Sequence, residues 1–286
     1  MQCHRPHVRE AVLKLSLCNE VIRELPFEAQ CAFAAAVGYR GLEIAPFTLS
    51  DQPHTLDGAA VAKLRGALQA EGLACSSLHW LLVAPEGLSI TLPDAAVRTR
   101  TVDVMRRLID LAAGLGAKVL VHGSPAQRAL PPGGESDARA RAIDCFRAAA
   151  EAAEAAGVVY CIEPLAKRET NFINNLAEAA EIVQAIGSPA LRSMVDCSAA
   201  ALEEGDVAAL LDRWLPSDLI AHVQVNDPNR RGPGEGDLRF APILAALKRH
   251  DYGGWVAAEP FVYEPDGPAC AARAAGYLHG ILEALS

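Results

Sequence analysis

Short apolar segments alternate eight times with amphipathic, alanine-rich stretches, and this alternation restricts the fold more than any other feature of the chain. Strands are expected over 12–18, 41–45, 73–80, 118–122, 158–163, 191–196, 219–225 and 255–259. Helices are expected over 26–37, 56–70, 94–115, 136–156, 176–186, 206–214, 240–249 and 269–285. Pro93 and Asp94 mark the start of the third helix and Gly116 its stop; Gly38, Gly72 and Gly157 close others. Near-continuous apolar strands separated by helices call for a parallel sheet covered by helices. Eight such units in 286 residues, without a break in composition, is the count of a single (β/α)8 TIM barrel spanning residues 1–286. A doubly wound sheet is the competing architecture. Its dinucleotide-binding version needs a Gly-rich turn after the first strand, where this chain has Asn19-Glu20-Val21.

The net charge of −9 argues against nucleic acid as a partner, because proteins that read a phosphate backbone usually carry a basic stripe. The eight cysteines (Cys3, Cys18, Cys31, Cys75, Cys145, Cys161, Cys197, Cys270) form no C-x-x-C pair. Most fall in apolar runs and read as small buried hydrophobes, which suits a reducing, cytoplasmic location. Residues 1–6 lack the apolar core of a signal peptide, and no apolar run is long enough to span a membrane.

In a barrel of this kind the functional residues lie at the C-terminal ends of the strands. Those ends carry Asn19, Glu43, His79, His122, Glu163, Asp196, Gln224 and Glu259. The last four terminate consecutive strands and so are neighbours around the rim. Three carboxylates converging there would repel one another and bind protons more tightly unless a cation neutralised them. A set of carboxylates and an amide suits a hard divalent ion, Mn²⁺ or Mg²⁺, with Co²⁺ or Zn²⁺ as alternatives. The opposing view is that each carboxylate caps nearby backbone or pairs with Arg168 or Arg230. That view suits one carboxylate better than four consecutive strand ends.

E-P-L at Glu163, V-D at Asp196, H-V-Q-V-N-D-P-N-R-R-G-P-G-E-G from His222 and A-E-P-F at Glu259 occur in an order that resembles the xylose isomerase-like barrel superfamily. That group includes ketose 3-epimerases, hydroxypyruvate isomerase and endonuclease IV nucleases. The resemblance extends from L-C-N-E near Cys18 and G-L-E-I-A-P near Glu43 to the last strand. It implies a single divalent metal held by Glu163, Asp196, Gln224 and Glu259. Gln224 stands where many members carry His, as in the hydroxypyruvate isomerase-like branch. His222 then reads as a core histidine bonded to a neighbouring strand, or as support for the metal site. The resemblance also places Glu169 and Arg230 on substrate oxygens. One departure is plain: where the family's Asp opens D-x-x-H, this chain reads Asp196-Cys197-Ser198-Ala199. The oxygen met by that missing His would fall to His122, His79 or water.

The resemblance implies an isomerase or epimerase acting on a ketose, keto-sugar or keto-acid, and the ligand set then lets Glu163 and Glu259 move a proton through an enediolate. Elimination by a keto-sugar or keto-cyclitol dehydratase would begin the same way. Two readings from other classes compete. One is a metal-dependent repair nuclease with His79 and His122 on a further zinc; the other is a non-catalytic sugar-binding subunit. The expected partner is a small sugar or keto-acid, and a homodimer or homotetramer is the assembly considered.

Overall fold

The computed structural model describes residues 13–286. Within them eight strands close into one parallel barrel: β1 (Lys14–Cys18), β2 (Gly41–Ile44), β3 (Ala74–Leu78), β4 (Val119–His122), β5 (Val159–Ile162), β6 (Leu191–Asp196), β7 (Ile220–Val225) and β8 (Trp255–Ala258). They follow chain order, and β1 closes the ring by pairing with β8, Leu17 opposite Ala258. The expected (β/α)8 barrel is therefore the fold. Strand ends differ from the sequence reading by a residue or two. The start of the first expected strand, residue 12, and the expectations on Cys3 and residues 1–6 lie outside the described residues.

Side-chain alternation along the strands divides the apolar residues into two layers. Val119, Val121, Cys161 and Met194 form a small cluster joined by Val159 and Ala221, while Leu120, Tyr160, Ile162 and Val223 belong to the larger core shared with the helices. Helix ends follow their local signals. Asp94 caps Ala95–Leu115 by accepting from Ala96 N at 2.8 Å, and Gly116 ends that helix with φ 85°. Two short α-helices were not anticipated, Pro125–Arg128 and Cys197–Glu203; the second starts directly from β6, with the Asp196 side chain accepting from Ala199 N at 2.6 Å. Four residues, or seven with five consecutive small side chains from Cys197 to Ala201, carry too little periodicity to be read in advance.

The closing helix, Gly267–Ala284, seals the barrel against its first turn. The Tyr39 hydroxyl donates to Ala271 O at 2.9 Å, and a Cβ at Gly267 would collide with the Val21 carbonyl. No described helix is long and apolar enough to cross a membrane. Gly267→Ala should therefore destabilise the fold by about 1–3 kcal/mol, as overpacking against backbone does. A urea unfolding midpoint equal to that of the wild type would show that the contact relaxes freely.

Candidate active site

Glu163 and Glu259 follow immediately after β5 and β8, and Asp196 ends β6, so all three carboxylates emerge at the same rim. All three are buried, and one oxygen from each lies within 4.8 Å of the others. Glu163 and Glu259 line a cavity of about 210 Å³ together with His79, Trp80, Gly123, Arg230 and Phe261. Glu169 and Leu165 also line it, and Asp196, Ser198, Asn226 and Arg168 join these residues around an adjoining recess.

The three carboxylates are held differently. Asp196 uses Oδ1 to cap its helix and takes Asn226 Nδ2 on Oδ2 at 2.7 Å. Glu259 takes His79 Nδ1 on Oε1 at 3.0 Å and Asn226 Nδ2 on Oε2 at 3.4 Å. Glu163 is placed through its backbone: buried Arg128 donates to Glu163 O at 2.6 Å. Its side chain fits against Gly123, where a Cβ would collide with Oε2. Burial and the neighbouring charges of Glu259 and Asp196 push the Glu163 carboxyl well above its usual range. Burial likewise moves Glu259 to about 8 against the opposing effect of His79. Asp196 moves to about 6, also through burial, opposed by the Ala199 N–H and Asn226.

Gln224 is fully buried with Nε2 3.4 Å from Glu43 Oε1 and 3.3 Å from His79 Nδ1, while its Oε1 has no hydrogen-bond partner. That unpartnered, neutral amide oxygen, on a residue paired with Asp196 across β6 and β7, is a donor that suits a hard divalent cation, although Gln224 lines neither the cavity nor the recess. His222 lies deeper. Its Nε2 is 3.0 Å from Glu43 Oε2, so its partner sits across the barrel on β2 and not on a neighbouring strand. Burial raises the Glu43 carboxyl, but His222 and His79 outweigh it and hold the group at about 2.

His79 and His122 end adjacent strands yet face different ways. His79 lines the cavity, with Nε2 3.0 Å from Glu20 Oε2. His122 is turned to the helix layer, where its Nδ1 meets the Tyr160 hydroxyl at 2.7 Å and its ring packs on Phe146 at 5.0 Å. Burial lowers its pKa to about 3, and it does not line the cavity. The reason is positional: His122 shares the outward face of β4 with Leu120. Sequence reading did not single out Glu20, Asn226, Arg128, Trp80 or Phe261. Asn226 could have been found, since it continues the His222–Gln224 alternation by two residues. Asn19, taken as the polar end of β1, instead accepts from Ala45 N at 2.8 Å and donates to Thr48 Oγ1 at 2.8 Å.

A closed parallel barrel whose C-terminal rim gathers buried carboxylates around a cavity is the architecture of a barrel enzyme. The chain belongs to the xylose isomerase-like TIM barrel family, whose model matches residues 31–281. It is 33% identical to the D-psicose 3-epimerase of Enterocloster bolteae over 126 residues, which is 44% of this chain and 41% of that protein. That alignment thus spans less than half of the relative's length. Identity to the 2-oxo-tetronate isomerase of Cupriavidus necator is 29% over 246 residues, 82% of this chain and 87% of the relative. A solved D-psicose 3-epimerase, in the presence of D-fructose, shares the fold with TM-score 0.80 at 20% identity, covering 94% of this chain and 99% of that one. These relatives are named as epimerases and as an isomerase, and the chain stands with them as an enzyme of the isomerase class.

The raised carboxyl groups set the pH dependence of the metal-free protein. A group whose pKa rises on folding contributes its stability in full below its unfolded value and loses it as the pH climbs through the folded one. For Glu259 that window runs from 4.5 to about 8, and for Asp196 from 3.8 to about 6. The thermal midpoint of chelator-treated protein should therefore fall between pH 5 and pH 8. A midpoint that rises over that interval would contradict the assignment.

Proposed function

We propose that the protein interconverts ketoses or closely related keto-sugars or keto-acids by proton transfer at the carbon beside a carbonyl, with Glu163 and Glu259 as the acid–base pair. The observation that carries this reading is that two buried glutamates, from β5 and β8, line one cavity beside Asp196 and bind protons more tightly than ordinary carboxylates. Such groups can exchange a proton with a carbon acid near neutral pH. A divalent ion held by Glu163, Asp196, Gln224 and Glu259, with Mn²⁺ or Mg²⁺ suiting this donor set, supplies charge that offsets the carboxylates and polarises a carbonyl.

The remaining roles fall to the chain's own residues. For epimerisation one glutamate removes the proton and the other returns it to the opposite face; for isomerisation a single glutamate does both transfers, moving the proton between adjacent carbons. Arg230, held with φ 70° and its guanidinium 5.0 Å from the Phe261 ring centroid, presents a fixed cation at the cavity. Glu169, whose Oε2 accepts from Ala166 N at 3.3 Å, offers a carboxylate for a substrate hydroxyl. Trp80 and Phe261 supply an apolar wall. The repair-nuclease reading loses support because His122 faces the helices. A cytoplasmic location is supported by seven described cysteines that are all free and buried.

The decisive experiment is deuterium incorporation from D₂O into D-psicose, D-fructose and 2-oxo-tetronate, with and without Mn²⁺. We expect exchange with at least one substrate, lost by about 10²–10⁴-fold in Glu259→Gln with the circular dichroism spectrum unchanged. Unaltered exchange in that variant would remove Glu259 from the acid–base role. Chelation should abolish turnover and added Mn²⁺ restore it; full activity in metal-free protein would defeat the metal assignment.

A further inference from the structure

Glu20, His79 and Glu259 form a buried chain of hydrogen bonds that the proton-transfer reading leaves unused. Glu20 lies in the turn Asn19–Ile22 after β1, His79 just past β3 and Glu259 just past β8. His79 Nε2 is 3.0 Å from Glu20 Oε2, and Nδ1 is 3.0 Å from Glu259 Oε1. Gln224 Nε2 also approaches Nδ1, at 3.3 Å, but a ring N–H takes the closer, charged acceptor. Both ring nitrogens are thus occupied, so the ring lines the cavity without an N–H to offer a substrate.

We propose that Glu20 and His79 are a positioning pair: His79 tethers one oxygen of Glu259, and Glu20 anchors the tether. This inference rests on the role given to Glu259 above. A glutamate's last torsion is broad, so an untethered carboxylate samples many orientations. Glu259 is held at both oxygens, by His79 and Asn226, whereas no described hydrogen bond reaches the Glu163 side chain. Glu20 does not line the cavity, and its only described side-chain partner is His79. The hydrogen-bonded route from Glu20 to the reaction therefore runs through the imidazole, beside the direct effect of its charge on Glu259. The alternative for this cluster is a second metal site, since Cys18, Glu20, His79 and Glu259 each offer an atom within 4.8 Å of the others. Cys18, however, donates its thiol proton to Glu43 Oε2 at 3.3 Å, and burial pushes the thiol well above its usual pKa.

The test is Mn²⁺ titration and steady-state kinetics on the wild type, Glu20→Gln, His79→Ala, His79→Asn and the Glu20→Gln/His79→Ala double variant. We expect one Mn²⁺ per wild-type chain. Glu20→Gln and His79→Ala should each weaken Mn²⁺ binding or lower kcat by about 10–100-fold. KM should stay within about threefold. The double variant should be no worse than His79→Ala alone, because the two residues act in series. His79→Asn, which keeps an N–H toward Glu259, should recover about tenfold of the loss, in the range of a charge-assisted hydrogen bond. Glu20→Gln is isosteric and carries the test alone if His79→Ala does not fold. Wild-type values for Glu20→Gln, or additive effects in the double variant, would overturn the proposal. So would two Mn²⁺ per wild-type chain falling to one in His79→Ala. Mn²⁺ binding without deuterium exchange would instead defeat the proposed reaction, while the affinity series would still test the pair.

Discussion

Mutual repulsion among Glu163, Asp196 and Glu259 is the constraint around which the rim of this barrel is arranged. An isolated buried carboxylate is expensive, and three within reach of one another are more so. The surrounding residues reduce that penalty without removing it. Asn226 bridges Asp196 and Glu259, the Ala199 N–H caps Asp196, and His79 faces Glu259. The buried guanidinium of Arg128 stands behind Glu163 and lowers its affinity for protons. What remains is a demand for protons or a cation, and this residual demand is what gives the cavity its chemical character. The deeper Glu43–His222 contact differs in kind. His222 and His79 hold the Glu43 carboxyl at about 2, so Glu43 stays ionised and leaves no such demand.

The barrel was legible in the sequence because its signal is repeated. Eight apolar strands and their Gly or Pro boundaries reinforce one another, so an error of a residue at one strand end leaves the count intact. That Glu163, Asp196 and Glu259 meet at one rim was legible for a related reason: each is a polar residue that ends an apolar run. The histidines show the limit of that logic. His79 and His122 both terminate strands, yet one faces the cavity and the other packs on Phe146. A shift of one residue reverses the face, and sequence boundaries are not sharp enough to settle it. The same offset led to Asn19, which ties down the backbone at Ala45, where Glu20 is the residue that reaches His79. Arg128 was invisible for a different reason. Its partners are backbone carbonyls of His122, Glu163 and Ile173, and no side-chain pattern announces such contacts.

The carbonyl of Arg230 accepts from both Phe261 N and Val262 N, each at 2.9 Å. The loop after β7 and the loop after β8 are therefore stapled into one piece, with Arg230 on one side and the segment leaving Glu259 on the other. The left-handed backbone at Arg230 is part of that staple. For the evolution of this barrel, the two loops are a single heritable module. An insertion that moves the Arg230 loop also moves the chain next to Glu259, so the cation and the buried carboxylate that line the cavity cannot drift independently on this side of the rim. The loop carrying Glu169 is tied to them more loosely, through the Arg168 side chain donating to Pro228 O at 3.3 Å and no described backbone bond, and it is where the cavity wall could vary with least effect on the other two loops.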